Sequence, residues 1–170
     1  MELQEKIAEI AYQAYRNINF INDYKPTFLK YNFELDDVMS KMDKKENLKI
    51  LKELGYSFKI FTPGQQYNYE EVFSNIKLIL SSKISGGIIN NYIYIYVNGS
   101  KISPNLYDEN LAFIYRHLIN DRNAVTNAFK FRNFDDFRKA MSEIISIYED
   151  FKKEFLKLLK EENLLEENTQ

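Results

Sequence analysis

From Phe134 onward the chain holds one pattern without a miss. Phe134, Phe137, Met141, Ile144, Tyr148, Phe151, Phe155 and Leu158 recur at alternating steps of three and four. A helix presents such positions as one continuous stripe, which makes this segment a long amphipathic helix. Over residues 133–163 it would run roughly 45 Å. A compact chain of 170 residues has a radius of gyration of about 15 Å and is about 40 Å across. The helix therefore spans the molecule or projects from it, and every other element must be arranged around it.

Strict three-four spacing is also the seam of a coiled coil. Here the stripe is rich in Phe and Tyr, and Ile145, Ile147, Leu156 and Leu159 widen it. Coiled-coil dimers favour compact aliphatic residues at the seam. A broad aromatic stripe fits better as a spine packed on the domain's own core, against the first helix. The alternative is contact with a second copy or a partner beyond Phe155, so the chain is expected to be a monomer or a homodimer through this helix.

Leu3, Ile7, Ile10, Ala14 and Ile18 mark the first helix over 2–18, and Ala8, Ala11 and Ala14 thin its surface for a close neighbour. Residues 19–32 contain Pro26 and no sustained period, which reads as a loop. Leu35, Val38, Met39 and Met42 suggest a short helix, followed by another over 44–54 that Gly55 stops. Alternation in 56–61 favours a strand. Asn68 and Glu71 have capping-box spacing ahead of Val72, Phe73, Ile76 and Leu80, which predicts a helix over 69–81, although 76–80 also suits a strand. Ser85–Gly86–Gly87 is a turn, 88–97 is a strand, and Asn98–Gly99 is a strong hairpin signal. Ser103–Pro104 predicts a helix start running to about 120, and 124–131 is expected to continue helically. Asn133 caps the long helix, with Asp135 and Asp136 in its first turn complementing the dipole. The expected architecture is α+β: a predominantly helical single domain over 1–163, with a small antiparallel sheet around Asn98–Gly99. The acidic tail, 164–170, is expected to fray, since negative charge at a helix C-terminus opposes the dipole.

Net charge is −2, which provides no global attraction to nucleic acid or an anionic membrane. Without cysteine, disulfides, thiolate metal sites and cysteine nucleophiles are excluded. No apolar run reaches the roughly 18 residues of a membrane span, and the first residues lack signal-peptide character, so a soluble cytoplasmic protein is expected. Abundant Phe, Tyr, Ile, Asn and Lys share A/T-rich codons, which points to an AT-rich bacterial or phage genome.

Candidate chemistry is sparse. His117 is the sole histidine, with Asp121 its simplest local contact, and no Gly-x-Ser-x-Gly elbow accompanies it. Of the carboxylate pairs Asp36–Asp37, Glu70–Glu71 and Asp135–Asp136, the last two fit first helical turns better than a two-metal nuclease site, and Asp23–Tyr24–Lys25 lacks a matching upstream acid. Phosphate-cradling glycine loops do not occur. No catalytic residue, metal ligand or cofactor is therefore expected.

Two surfaces remain. Tyr92, Tyr94 and Tyr96 alternate with Ile93, Ile95 and Val97, so the tyrosines share one strand face. That face is either covered by a helix or forms a binding platform, because tyrosine is enriched at protein interfaces and on nucleic-acid sheets. A nucleic-acid platform would carry interleaved basic residues, of which Lys101 alone is evident. Tyr67 and Tyr69 are further candidate anchors. Arg116, Arg122, Lys130, Arg132 and Arg138 form a basic cluster, with interspersed acids favouring local ion pairs. The expected function is a non-enzymatic protein-binding module, an inhibitor that masks another macromolecule. Immunity proteins and phage anti-defence inhibitors are compact proteins of this general kind, an analogy that rests on no motif. Its anchors would be Tyr92, Tyr94 and Tyr96 or Tyr67 and Tyr69, with Arg116, Arg122, Lys130 and Arg132 at the rim. The alternative is a nucleic-acid-binding regulator using the arginines, and a metal-dependent hydrolase or nuclease ranks last.

Overall fold

In the computed structural model, which describes residues 2–61, 65–124 and 128–165, Asn133 starts the long helix as its position predicts. Its Oδ1 accepts from the Asp136 N–H at 2.9 Å. Helix α5 then runs Phe134–Glu161, 28 residues, or about 42 Å. Phe137, Met141, Ile144, Tyr148, Phe151, Phe155 and Leu159 are wholly buried along it. The stripe thus packs on the molecule's own core to its last turn, where Leu159 takes the innermost place expected of Leu158.

The first helix, α1 (Leu3–Asn17), lies along α5. Its Ala11 and Ala14 are fully buried, and the Tyr15 ring stacks on Phe151 at 4.3 Å. Helix α2 (Phe20–Lys30) occupies the stretch expected to be a loop. Pro26 inside it costs about 3 kcal/mol. Burial of Phe20, Tyr24, Thr27 and Phe28, at roughly 1.5–3 kcal/mol for each large apolar side chain, outweighs that cost. The spacing of these four residues is helical, a weak period that the proline obscures in sequence. Residues 35–42 form only a 3₁₀ turn at Leu35–Asp37, after which the Met39 N–H donates to the Phe131 carbonyl at 3.1 Å. Helix α3 (Lys44–Glu53) follows with Asp43 as its cap and Gly55 at φ +95 beyond it.

The expected helix over 69–81 is instead a β-hairpin. Strands β1 (Lys59–Phe61), β2 (Gln66–Phe73), β3 (Ile76–Ser85), β4 (Ile88–Val97) and β5 (Ser100–Lys101) pair in sequence order, all antiparallel. Asn68 and Glu71 have capping-box spacing by coincidence. Ser74, at φ 56, turns the chain, and β3 is held on both sides by β2 and β4. Asn98 and Gly99 both take positive φ, 51 and 79, the two-residue turn their identity demands.

Beyond β5 the helix expected from Ser103 begins only at α4 (Leu111–Ile119), capped by Asn110. Before it the chain runs against β4, with the Ile93 N–H donating to the Glu109 carbonyl at 2.9 Å. Part of the continuation expected over 124–131 is strand β6 (Phe129–Lys130), which pairs with Ile88 and Ile89; residues 125–127 lie outside the described residues. At the start of the tail the Leu164 N–H donates to the Leu159 carbonyl at 2.8 Å, and Leu164 and Leu165 pack against the core. The rest of the tail, 166–170, lies outside the described residues. With 48% helix and 23% strand among the described residues, the molecule is α+β and predominantly helical.

One sheet face carries the core. Leu78, Leu80 and Ile84 of β3 and Ile89, Ile93, Ile95 and Val97 of β4 lie there, beneath the helices. Glu71 on this face accepts from the Tyr148 hydroxyl at 2.6 Å and from Lys152 Nζ at 2.9 Å, tying β2 to α5. Burial first, then that carboxylate, holds the Tyr148 hydroxyl far above its ordinary pKa.

Candidate functional site

Among the described residues, no helix covers the opposite sheet face. Strand alternation puts Gln66, Asn68, Glu70 and Val72 of β2 there, with Lys77, Ile79, Ser81 and Lys83 of β3 and Tyr92, Tyr94 and Tyr96 of β4. Lys59 and Phe61 join them from β1, by pairing with Asn68 and Gln66. Only Ile79 and Ser81, in the middle strand, are buried. The three tyrosines are half-buried, and at the margins Phe61 and Val72 are 47% and 69% exposed, unusual values for apolar side chains on a sheet.

Each tyrosine ring has a lysine over it. Lys77 Nζ lies 4.5 Å from the Tyr96 ring centre, Lys101 Nζ 4.5 Å from Tyr94, and Lys83 Nζ 5.1 Å from Tyr92. The Tyr92 and Tyr94 rings are nearly parallel, 12° apart with centres 5.8 Å apart. A cation above an aromatic face is held by the ring quadrupole, so the row is a set of paired aromatic and cationic groups. Burial, and then the nearby Glu109 carboxylate, pushes the Tyr94 hydroxyl up to about 12, so it stays protonated. Two lysines are also tied to carboxylates: Lys101 to Glu109 at 2.7 Å and Lys77 to Glu70 at 4.0 Å. Lys59 and Lys83 have no ion pair among the described residues.

The other expected anchors lie elsewhere. Tyr67 is wholly buried on the covered face, where its hydroxyl receives the Asn47 Nδ2 hydrogen at 3.4 Å. Tyr69 shares that face and packs edge-on against Tyr56 at 4.9 Å. The helix expected over 69–81 would begin at Tyr69; in the strand that forms instead, alternation with Asn68 turns Tyr67 and Tyr69 inward, so neither belongs to the open face. Nor do the arginines ring the tyrosine row. Arg132 forks onto Asp136 at 2.8 and 3.3 Å and lies over the Phe33 ring, and Arg138 pairs with Glu53. Lys130 Nζ donates to Asn32 Oδ1 at 3.1 Å. Arg116 and Arg122 line a separate cleft beside α4. His117 meets Asp108, not Asp121, with Nδ1 3.5 Å from Oδ2.

Lys59, Lys77 and Lys83 are the lysines of this face that sequence reasoning did not assign. The signal was present: Lys77, Ile79, Ser81 and Lys83 alternate with Leu78, Leu80, Ser82 and Ile84. Among the described residues no group of three or more His, Cys, Asp or Glu converges to hold a metal ion, and no helix is long and apolar enough to cross a membrane. No protein-family model, curated protein or solved structure matches this chain.

Proposed function

We propose that this chain is a non-enzymatic protein-binding module that lays its open sheet face on an acidic surface of another protein and masks it, as an inhibitor does. The observation that carries this reading is the uncovered row Tyr92, Tyr94 and Tyr96 with a lysine over each ring. Tyrosine contributes a large contact area at low entropic cost and is enriched at the energetic centres of interfaces. Lys59, Lys77, Lys83 and Lys101 face two glutamates, Glu70 and Glu109, so the surface is locally basic on a chain of net charge −2. The three strands of 8 to 10 residues are about 30 Å long and together about 15 Å wide. That is about 450 Å², a little over half of the roughly 800 Å² each partner buries in a standard interface, and the short β1 and β5 widen it at the edges. Phe61 and Val72 extend it with apolar contact.

A protein occupant fits better than nucleic acid. Half of the lysines already have carboxylate partners, whereas binding along a phosphate backbone draws on many uncompensated cations. The test compares the full chain with a Lys83→Glu/Tyr92→Ala double variant. Both are used to capture a partner from the source cell, followed by titration of the purified partner. At least a hundredfold weaker binding by the variant, with an unchanged melt, is expected. Equal binding by a folded variant removes this face from the interface. Retention of RNA or DNA at low salt, abolished by the variant and by added salt, would replace the protein reading. Self-association in the ultracentrifuge that the variant abolishes would make the occupant a second copy.

A further inference from the structure

Charge is unevenly spread along the strands of the open face. At one end Lys59 and Lys83 are exposed, and neither has an ion pair among the described residues. Lys83 opposes Gln66 and Lys59 opposes Asn68, so the two lysines flank one stretch of β2. Two strand spacings and two residues separate them, about 12 Å between their Cα atoms. Phe61, Asn90 and Tyr92, in register at the same end, carry no charge. Gln66 Nε2 is engaged with Ser81 Oγ at 2.7 Å. The two ammonium groups are therefore the charged donors of this end.

At the other end the charges are already matched, Lys101 by Glu109 and Lys77 by Glu70. A carboxylate brought there meets those two glutamates, and like charges juxtaposed across an interface are costly. This end offers apolar contact instead. Val72 lies in register with Lys77 and Tyr96 and is largely exposed. It borders an open hollow of about 570 Å³, lined also by Ser74, Lys77, Asn98 and Gly99. Ser74 and Asn98 turn the chain there at φ 56 and 51, and a Cβ built on Gly99 would meet nothing within 4 Å. The two turns thus leave room for an incoming side chain.

We propose that the face selects its partner by this polarity. Carboxylates of an acidic protein segment meet Lys59 and Lys83, and an apolar side chain of the same segment enters the hollow beside Val72. Lys83 and Lys77 are six residues apart on β3, so the two contacts lie about 20 Å apart. An extended segment covers that distance in about six residues, running along the tyrosine row. The inference rests on the docking reading above and adds the chemistry, spacing and direction of the occupant. A second copy is a poorer occupant, because Glu70 and Glu109 of its own open face are already paired.

The probe is a synthetic peptide, acetyl-Glu-Glu-Thr-Ser-Thr-Ser-Thr-Leu-amide, titrated into the full chain at low salt and followed by NMR shifts. A Gln-Gln counterpart removes the charge, and acetyl-Glu-Glu-Thr-Leu-amide removes the spacing. Saturable shifts are expected at Lys59, Lys83 and Val72, with both control peptides at least about fivefold weaker. Lys59→Glu/Lys83→Glu should weaken the long peptide at least about tenfold. Val72→Asp, a change at an exposed residue, should make the long and short peptides bind alike. No saturable shift on this face, equal affinity for either control, or shifts centred on Lys77 and Lys101 would each overturn the proposal. So would full affinity in the folded double variant. The docking reading is judged separately, by Tyr92→Ala alone against the captured partner. Weakening there, with a peptide that fails, would leave the face standing without its polarity.

Discussion

Phe151→Ala tests whether α5 belongs to this molecule's own core. The Phe151 ring is wholly buried between Tyr15, 4.3 Å and 19° away, and Phe155, 5.2 Å and 13° away. Truncating a core phenylalanine costs about 3–5 kcal/mol, and each lost aromatic pair adds to the upper part of that range. A loss of about 4–5 kcal/mol is therefore expected, against a total stability of about 5–15 kcal/mol for a folded domain. For a chain of this size that lowers Tm by about 10–20 °C. Urea unfolding followed by helical circular dichroism measures it, with the midpoint falling and the slope unchanged. Phe151→Leu keeps most of the apolar volume but neither stack, and should cost only about 1–2 kcal/mol. A loss below about 1.5 kcal/mol in Phe151→Ala, or a wild-type midpoint that rises with protein concentration, would refute the reasoning. Either result would place the stripe against a second copy and not on α1.

Gly87→Ala should be much more damaging than Gly99→Ala. A Cβ at Gly87 would meet the Phe131 carbonyl oxygen at 2.4 Å, Val38 Cγ1 at 2.5 Å and the Met39 nitrogen at 2.8 Å, so about 3 kcal/mol is expected there. At Gly99 there is open space but φ is +79, and about 1 kcal/mol is expected; equal melts for the two variants would contradict this. Asp136 carries a pH dependence: the Arg132 side chain hydrogen-bonded to it holds its carboxyl below the usual range. A depressed folded pKa contributes stability above the unfolded value that is lost as pH falls through the folded one. Asp136→Asn should therefore destabilise at about pH 7 and have little effect at about pH 2, and equal losses at both would exclude the linkage.

The elements legible from sequence are those set by contacts within one segment. The three-four stripe of α5, the apolar period of α1, the Gly55 stop of α3, and the positive-φ pair Asn98–Gly99 each act over a few residues. Residues 66–85 escaped because local signals there are balanced. Asn68 and Glu71 offer a helix start, while Tyr67, Tyr69, Glu71 and Phe73 alternate. The ten-residue pairing of β3 with β4 decided between them, and that pairing is invisible along a single window. The same ladder brings Lys77 beside Tyr96 and Lys83 near Tyr92, which is why the site's cations could not be read before its strands were known. In α2, Pro26 masked a period that only burial against Tyr15, Tyr115 and Phe129 makes decisive.

By itself the sequence determined the long helix, its width, the tyrosine row and the absence of cysteine chemistry, because periodicity and composition are properties of neighbouring residues. Which side of the sheet the helices cover was decided only in the tertiary structure. Tyr67 and Tyr92 lie on opposite faces because the helices pack on the side where Leu78, Leu80, Ile93 and Ile95 converge. That choice is a non-local balance of buried area, and it leaves the tyrosines and their lysines facing outward.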